Sequence, residues 1–248
     1  MKRMVTLALV LLAPSLALGQ EEILPSQESL RAGPVGASSR DWTLEFNGGR
    51  FRPRIDEEPG LTGSPYNDIF GKKSMWLFEG ELDYKLFDLL GPFSLGLAGG
   101  YGVVWGRGIA SSDGQPAPDT TTLSTVPLRL LAVYRFQWFN EAFGIPLVPF
   151  VKAGLAHTIW WITNGTGGVA GFGEGKALGG KWGYQLSGGL AFELNILDRE
   201  AARDFDQQWG VNSVLLQVQY ARLTADNFGG AGIDLSDDAW LFGLAFEF

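Results

Sequence analysis

The sequence contains one histidine, His157, which is the first candidate for chemistry. Nucleophilic catalysis by histidine needs a hydroxyl or thiol within hydrogen-bond reach and an acidic group that orients the ring. Thr158 follows directly, but Ile159 occupies the position where a His-x-Ser spacing would place a hydroxyl. The sequence therefore favours a histidine that lies at an interface beside two tryptophans, and it assigns no catalytic residue.

Two groups of acidic residues could bind a hard cation. The first group is Asp56, Glu57 and Glu58, and the second group is Asp226, Asn227, Asp234, Asp237 and Asp238. Calcium takes six to eight oxygen ligands, so a surface calcium site is one interpretation. The spacing matches no calcium-loop motif, which favours solvated acidic loops, and no metal ligand is assigned.

Two glycine-rich stretches, 165–168 and 171–175, resemble loops that bind phosphate. A phosphate loop works by presenting backbone N–H groups and the positive end of a helix to the anion. No helix is predicted after either stretch, so the sequence predicts no cofactor.

Charged residues elsewhere alternate with apolar ones, which indicates β-strands. In 74–86 the residues Trp76, Phe78, Leu82, Tyr84 and Leu86 alternate with Glu79, Glu81, Asp83 and Lys85. Successive side chains of a strand point to opposite faces, so this segment has one wholly apolar face. The same period recurs in eight predicted strands: 42–51, 74–86, 93–105, 123–137, 148–162, 181–194, 212–223 and 239–248.

The segments between the strands alternate between short and long. Residues 87–92 and 138–147 are short, whereas 52–73, 106–122, 163–179 and 224–237 are long and rich in Gly, Asp, Asn and Pro. Residues 195–212 are long but fall on the short-turn side. There Leu197, Ala201, Phe205 and Trp209 recur every four residues, which predicts a short amphipathic helix near 197–209.

The tryptophans are sorted to the two ends of these strands. Those predicted to lie beside the long loops are Trp76, Trp105, Trp160, Trp161, Trp182 and Trp240. Trp42, Trp138 and several phenylalanines fall at the opposite end. Two aromatic belts are typical of a protein that spans a membrane.

The N-terminal residues have the features of an export signal. Lys2 and Arg3 precede an apolar stretch that Pro14 interrupts, and Ala17-Leu18-Gly19 has the small residues of a cleavage site. We therefore expect a signal peptide over 1–19 and a flexible periplasmic segment over 20–40. Removal of the signal peptide changes the formal charge of the chain from −8 to −10, because it takes away Lys2 and Arg3 and no acidic residue. This acidity argues against nucleic acid as a partner.

A sheet within lipid must satisfy every backbone group, so it must close on itself. The sequence therefore predicts an all-β fold, a closed antiparallel transmembrane β-barrel of eight strands over 41–248, with a short periplasmic helix near 197–209. The charges expected inside are Glu45, Glu79, Glu81, Asp83, Lys85, Arg129, Arg135, Lys152, Glu193 and Glu247. A soluble lipocalin-like barrel is the alternative, but it leaves the tryptophan belts unexplained.

Two positions predict irregular pairing. Pro127 cannot donate to a strand ladder, so we expect a bulge or a strand start near it. The phase of the alternation is ambiguous at His157, which predicts a second irregularity. A hairpin within one long loop would raise the strand number to ten.

The final segment WLFGLAFEF, ending in Phe248, resembles the signal by which outer-membrane barrels are recognised for assembly. Together with RPRIDEEPGLTGSPYNDIFG, STVPLRLLAVYRF, PLVPFVKAGL, GGKWGY, AARDFDQQWGVN and DNFGGAGIDLSDDAWLFGLAFEF, it resembles a family of outer-membrane β-barrel proteins from myxobacteria and their relatives. This resemblance covers nearly all of the mature chain. It implies a location in the outer membrane of a Gram-negative cell and no established activity.

Three functions follow as hypotheses. The favoured one is a porin-like, non-enzymatic barrel with a structural or surface-interaction role. The alternatives are a narrow channel for small hydrophobic molecules and an outer-leaflet lipid-modifying enzyme that would use His157. The partners expected are outer-membrane lipids, lipopolysaccharide and the barrel-assembly machinery, which would bind the strand ending in Phe248. A monomer is expected.

Overall fold

The computed structural model describes residues 40–108, 115, 117–172, 175–230 and 232–248. The predicted signal peptide, 1–19, and residues 20–39 of the predicted periplasmic segment lie outside the described residues.

The eight predicted strands are all present, with ends that differ from the predicted ones by three residues or fewer. Their bounds are β1 Trp42–Phe51, β2 Met75–Asp88, β3 Pro92–Gly106, β4 Thr121–Arg135, β5 Leu147–Thr163, β8 Leu178–Glu193, β9 Ser213–Leu223 and β10 Asp237–Glu247. They form a closed antiparallel barrel in the order β1-β10-β9-β8-β5-β4-β3-β2. The predicted all-β barrel fold is therefore confirmed.

The barrel closes where the first strand meets the last. The pairs between β1 and β10 run from Thr43 opposite Glu247 to Gly49 opposite Leu241. Phe248 adds to this seam, since its N–H donates to the Trp42 carbonyl over 2.8 Å. Closure leaves the sheet without an exposed edge, so its backbone groups find partners within the barrel wall.

The side chains of each strand divide between the inside and the outside. On β2 the carboxylates of Glu79, Glu81 and Asp83 are buried, whereas Phe78, on the opposite face of the strand, is 61% exposed. Phe242 on β10 is likewise 61% exposed. A soluble barrel would place these groups the other way round.

β4 continues through Pro127. It pairs with β5 in one register, in which Pro127 lies opposite Thr158. Against β3 the register is the same on both sides of the proline, but no pair forms at Gly100 or Tyr101. The predicted bulge or strand start was wrong: since proline has no N–H, the strand loses ladder bonds on one side and keeps its register.

The predicted irregularity at His157 was also wrong. His157 lies opposite Leu128 on β4 and Trp182 on β8, and both ladders run through it without a shift. A register shift does occur between Lys85 and Phe87, in the β2–β3 pair. The phase had looked ambiguous because Trp160 and Trp161 are both apolar, although they face opposite sides of the strand.

The connections at one end of the barrel are long, such as 52–74 and 224–236, and we call this the loop end. The connections at the other end include 89–91 and 136–146, and we call this the turn end. Of the tryptophans predicted at the loop end, Trp76, Trp105, Trp182 and Trp240 are exposed on the outside. Trp160 instead packs against the buried apolar cluster of the interior. Trp42 and Trp138 lie at the turn end, where both are exposed.

The fold also contains three short α-helices and two two-residue strands. They are α1 Pro65–Phe70, α2 Trp138–Phe143, the two-residue strands β6 Gly171–Phe172 and β7 Gly175–Lys176, and α3 Arg199–Trp209. β6 and β7 pair with each other in a separate sheet, so the barrel keeps eight strands rather than ten. Among the described residues, no helix combines the length and the apolar character that a helix needs to cross a membrane.

The predicted amphipathic helix is confirmed as α3. Asp198 caps its N-terminus, where the carboxylate accepts hydrogen bonds from the Glu200 and Ala201 N–H groups over 3.1 and 3.0 Å. Gly210 ends it in the left-handed region, with φ at 69°. Both ends carry the residue types that helix caps favour.

Strands β4 and β5 approach each other closely at Gly154, and a substitution there can test this packing. A Cβ at Gly154 would collide with the Leu130 carbonyl and the Leu131 Cα on β4, whereas a Cβ at Gly188 would lie 3.8 Å from the nearest atom. We expect Gly154→Ala to destabilise the barrel by roughly 1–3 kcal/mol, as overpacking does. Gly188→Ala is the control and should leave the urea midpoint in detergent micelles near that of the unmodified chain. Equal midpoints for the two variants would contradict this account.

Candidate functional site

The middle of the barrel interior contains a network of charged side chains. Lys152 of β5 donates to Glu45 of β1 over 2.6 Å and to Glu81 of β2 over 2.8 Å. Arg135 of β4 donates through both terminal nitrogens to Asp83 over 3.1 Å and also contacts Glu45. The Lys152 and Arg135 side chains are 0% and 1% exposed. In the closed strand order β5 lies opposite β1, and β3 alone separates β2 from β4, so these ion pairs join strands that are not neighbours in the sheet.

One polar residue of a fifth strand extends this network, and a further ion pair lies in the interior. Gln217 of β9 donates to Glu45 over 2.6 Å and to Asn47 over 2.8 Å. Arg129 pairs with Glu79, and both are buried. Since a buried charge without a partner is costly, pairing is the condition for placing these groups inside.

The carboxylates of this network do not form a metal site. Oxygens of Glu45, Glu81 and Asp83 lie within 4.8 Å of one another, a separation that could suit a cation. The Lys152 ammonium, however, already contacts Glu45 and Glu81, and the Arg135 guanidinium contacts Glu45 and Asp83. Protein cations therefore occupy the positions that a metal ion would need.

Apolar side chains fill the interior at the loop end. Tyr66 and Phe70 of α1 enter the mouth of the barrel and join a buried cluster. Its other members are Phe51, Met75, Leu77, Val104, Leu123, Ala221, Leu223, Ala239 and Leu241. The β1–β2 loop thus folds back over the lumen, and we call this apolar cluster the plug.

Hydrogen bonds fix the plug in place. The Asp56 carboxylate accepts from the Tyr66 N–H over 2.7 Å and from the Asn67 N–H over 3.0 Å. The Tyr66 hydroxyl donates to the Lys73 carbonyl over 2.9 Å. Burial of this phenol raises the pKa of Tyr66 to about 12, so it stays a neutral donor across the physiological range.

Little space remains between the plug and the charged network. A cavity of about 20 Å³ lies there, lined by residues that include Leu77, Thr125, Pro127, Arg129 and Thr158. That volume suits about one water molecule. At the turn end a wider vestibule of about 390 Å³ is lined by residues that include Arg40, Lys85, Gln137 and Glu247. The described part of the interior is thus filled above this vestibule.

Most of the charges predicted to face inward do so. Glu45, Glu79, Glu81, Asp83, Arg129, Arg135, Lys152 and Glu247 are buried. Lys85 and Glu193 are half-buried near the turn end, where Lys85 pairs with Asp41 and Asp88. Lys181, Asn47 and Gln217, which share the phase of the inward charges, are buried in the interior as well.

The acidic residues of the loops have structural partners. Asp238 pairs with Arg54 and with Arg222, each over 2.9 Å, and Asp237 accepts from the Arg52 N–H over 2.6 Å. Glu58 accepts from the Gly232 N–H. These acidic groups therefore hold neighbouring strands and loops of the chain together.

His157 faces outward near the loop end. Its ring lies against Trp182, with 4.4 Å between the ring centroids. Its two cross-strand neighbours, Leu128 and Trp182, offer no hydroxyl. This environment matches the predicted interfacial histidine.

The glycine-rich stretches have no helix after them. Asn164 folds the first into a turn, where its side-chain oxygen accepts from the Thr166 and Gly168 N–H groups. The second forms part of the β6–β7 hairpin, which leads directly into β8. Neither stretch presents a helix N-terminus to a phosphate.

Comparisons with known proteins give low similarity. No protein-family profile matches this chain, and no similar sequence is found among curated proteins. The resemblance to the myxobacterial family therefore stays a prediction.

Several solved structures are similar to this chain, and three of them show the level of similarity. Ail, the attachment invasion locus protein of Yersinia pestis, solved with the heparin analogue sucrose octasulfate, is 10% identical over 84% of this chain and 97% of Ail, with a TM-score of 0.42. The N-terminal β-barrel domain of Pseudomonas aeruginosa OprF is 14% identical over 84% of this chain and 98% of that domain, with a TM-score of 0.38. The transport unit of the autotransporter AIDA-I from Escherichia coli is 14% identical over 89% of this chain and 79% of that unit, with a TM-score of 0.34. The fold described above rests on strand topology, not on these values.

Lys152 tests the charged network. Lys152→Met leaves Glu45 and Glu81 buried without their ammonium partner, so we expect a loss of about 3–5 kcal/mol in the free energy of unfolding. Adding Glu81→Gln should recover part of this loss, because Glu45 still pairs with Arg135 and Glu81 is the carboxylate left without a cation. The control is Arg222→Met, which breaks an exposed ion pair and should leave the free energy of unfolding close to that of the unmodified chain. Urea unfolding in micelles measures all three variants, and a Lys152→Met cost no larger than that of Arg222→Met would contradict the role assigned to the network.

Proposed function

We propose that this chain is an outer-membrane β-barrel with a structural or surface-interaction role and a closed interior. One observation carries the proposal: in the middle of the barrel wall the charges lie inside, and most of the large apolar side chains lie outside. Lys152 and Arg135 are shut in, while Phe78, Leu97 and Phe242 are each more than 60% exposed. Such a surface is stable against acyl chains, and it would aggregate in water.

Features at the two ends support the same orientation in a membrane. The exposed tryptophans lie at both ends of the barrel, where aromatic rings favour the two lipid–water interfaces. The longer loops share one end, which in transmembrane barrels is the extracellular one. We therefore infer that the loop end faces the outside of the cell and that the turn end faces the periplasm.

The surface role follows from what the loop end offers. The plug closes the lumen. The Arg54–Asp238 ion pair ties the β1–β2 loop to β10, and Glu58 of that loop accepts from the Gly232 N–H of the β9–β10 loop. A closed barrel whose described loop residues are tied in this way can present a fixed surface to lipopolysaccharide, cations or another cell, which are the partners we propose. We also propose that the chain is a monomer, that its last strand is read by the barrel-assembly machinery, and that it belongs with the myxobacterial-type barrels it resembles.

A channel for small hydrophobic molecules is the second candidate. The observation in its favour is the pair of missing β3–β4 contacts at Gly100 and Tyr101, beside the cavity that Pro127 lines. The cavity is far smaller than the roughly 300 Å³ of a typical ligand pocket. The filled interior therefore favours the closed barrel.

Labelling of cysteine variants in intact cells tests location and orientation. The chain has no cysteine, so single replacements give clean sites. Thr166→Cys lies in an exposed loop at the loop end, and Ala142→Cys is exposed at the turn end. We expect a maleimide attached to a large poly(ethylene glycol) to shift the gel band of the first variant in intact cells. The second should react only after the outer membrane is permeabilised, and the reverse pattern would refute the orientation.

Recording in planar bilayers tests the closed interior. We expect purified, folded protein to give no stepwise ion conductance, because the plug and the charged network block the lumen in series. Liposome swelling in small sugars should likewise match that of empty vesicles. Reproducible single-channel steps from folded protein would rule out the closed barrel and favour the channel.

A further inference from the structure

The helix α3 carries an apolar stripe that the described protein does not cover. Leu197, just before the helix, is 73% exposed, and Phe205 and Trp209 are 41% and 71% exposed. Ala201 lies between them on the same stripe and is exposed as well. Four apolar positions at a spacing of four residues form one continuous face.

The other sides of α3 are occupied differently. Ala202 and Asp206 are half-buried, and Ala202 lines a cavity with Asn140 and Gly144 of the β4–β5 connection. Glu200, Arg203, Asp204 and Gln207 occupy the arc opposite the stripe and are exposed. The helix thus has one side toward the barrel, one apolar side without a protein partner, and one polar side.

Exposed apolar residues lie along the chain that leads from the barrel wall to the stripe. Leu190 faces outward near the turn end of β8, and Ile196 and Leu197 follow it as exposed residues before α3 begins. On the neighbouring strand β5, Leu147 is exposed at the same end, as are Phe143 and Ile145 just before it. The apolar outer surface of two adjacent strands is therefore followed, at the turn end, by exposed apolar residues up to Leu197, the first position of the stripe.

We propose that α3 lies in the plane of the periplasmic leaflet, with Leu197, Phe205 and Trp209 inserted among the lipids beside the barrel. This inference rests on the proposed function, since it needs the barrel to be in a membrane. An amphipathic helix binds an interface by burying its apolar face, and tryptophan favours the headgroup level. The helix would thus fix the depth of the turn end in the bilayer.

The charge of α3 specifies the kind of lipid. The helix contains Arg199, Glu200, Arg203, Asp204 and Asp206, which is one more acid than base. Helices that bind anionic membranes have a polar face rich in lysine and arginine, and this helix does not. The surface that fits is therefore a zwitterionic phospholipid such as phosphatidylethanolamine, bound through apolar burial rather than through charge.

Spin labelling of the full chain in nanodiscs of zwitterionic phospholipid tests the proposal. Single cysteines at Phe205 and Trp209 report the stripe, and Gln207→Cys reports the polar side. Leu186→Cys is the control for insertion, because it lies on the outer face of β8 at mid-strand. Each label is exposed to oxygen, which partitions into lipid, and to a water-soluble nickel chelate. Only variants that show the gel mobility of the folded barrel are used.

We expect the ratio of oxygen to nickel collisions at positions 205 and 209 to approach that at position 186, several-fold above that at position 207. If 205 and 209 match 207 while 186 remains lipid-exposed, the helix is in water and this inference alone is wrong. If 186 is also water-exposed, the proposed function fails with it. If both reagents are excluded from 205 and 209, another protein or a second copy covers the stripe, and the lipid proposal is overturned.

Liposomes with added anionic lipid test the charge argument. They should leave the ratios of oxygen to nickel collisions unchanged, and a rise in the ratio at position 205 would contradict that argument.

Discussion

Closure of the sheet between β1 and β10 is the constraint on which the rest of the structure depends. Once the first and last strands pair from Thr43–Glu247 to Gly49–Leu241, every strand has two neighbours. Each strand then has one face toward a narrow lumen and one toward the surroundings, and the alternation of the sequence decides which residues go where. The barrel accommodates local faults, such as the missing bonds at Pro127, because pairing on the other side holds the register.

The lumen imposes the second condition. Eight strands enclose little space, so charged side chains that point inward must find partners across it. Lys152 pairs with Glu45 and Glu81, and Arg135 pairs with Glu45 and Asp83, in each case between strands that are not neighbours. Gln217 also donates to Glu45. The network therefore ties five strands together and blocks the lumen at the same time. The apolar plug adds a second closure from the loop end.

The asymmetry between the two ends gives the molecule its direction. Long loops, most of the exposed tryptophans and the plug lie at one end, and the helix α3 lies at the other. Glu58, one of the acidic loop residues, accepts from the Gly232 N–H and so joins two loops, while Asp238 of β10 pairs with Arg54 of the β1–β2 loop and with Arg222 of β9. The exposed apolar residues of α3 lie at the turn end, where we propose that they contact lipid.

The sequence by itself determined the strands, the inward face of each strand and the helix α3, because these follow from the local periods of two and of about 3.6 residues. Glu79, Glu81 and Asp83 share a face in any strand that contains them. Only the tertiary structure decided that Lys152 meets Glu45 and Glu81, and that Tyr66 and Phe70 enter the mouth of the barrel. Those contacts depend on which strands face each other across the lumen and on how a loop folds back. No local period encodes a distance between side chains that lie far apart in the chain.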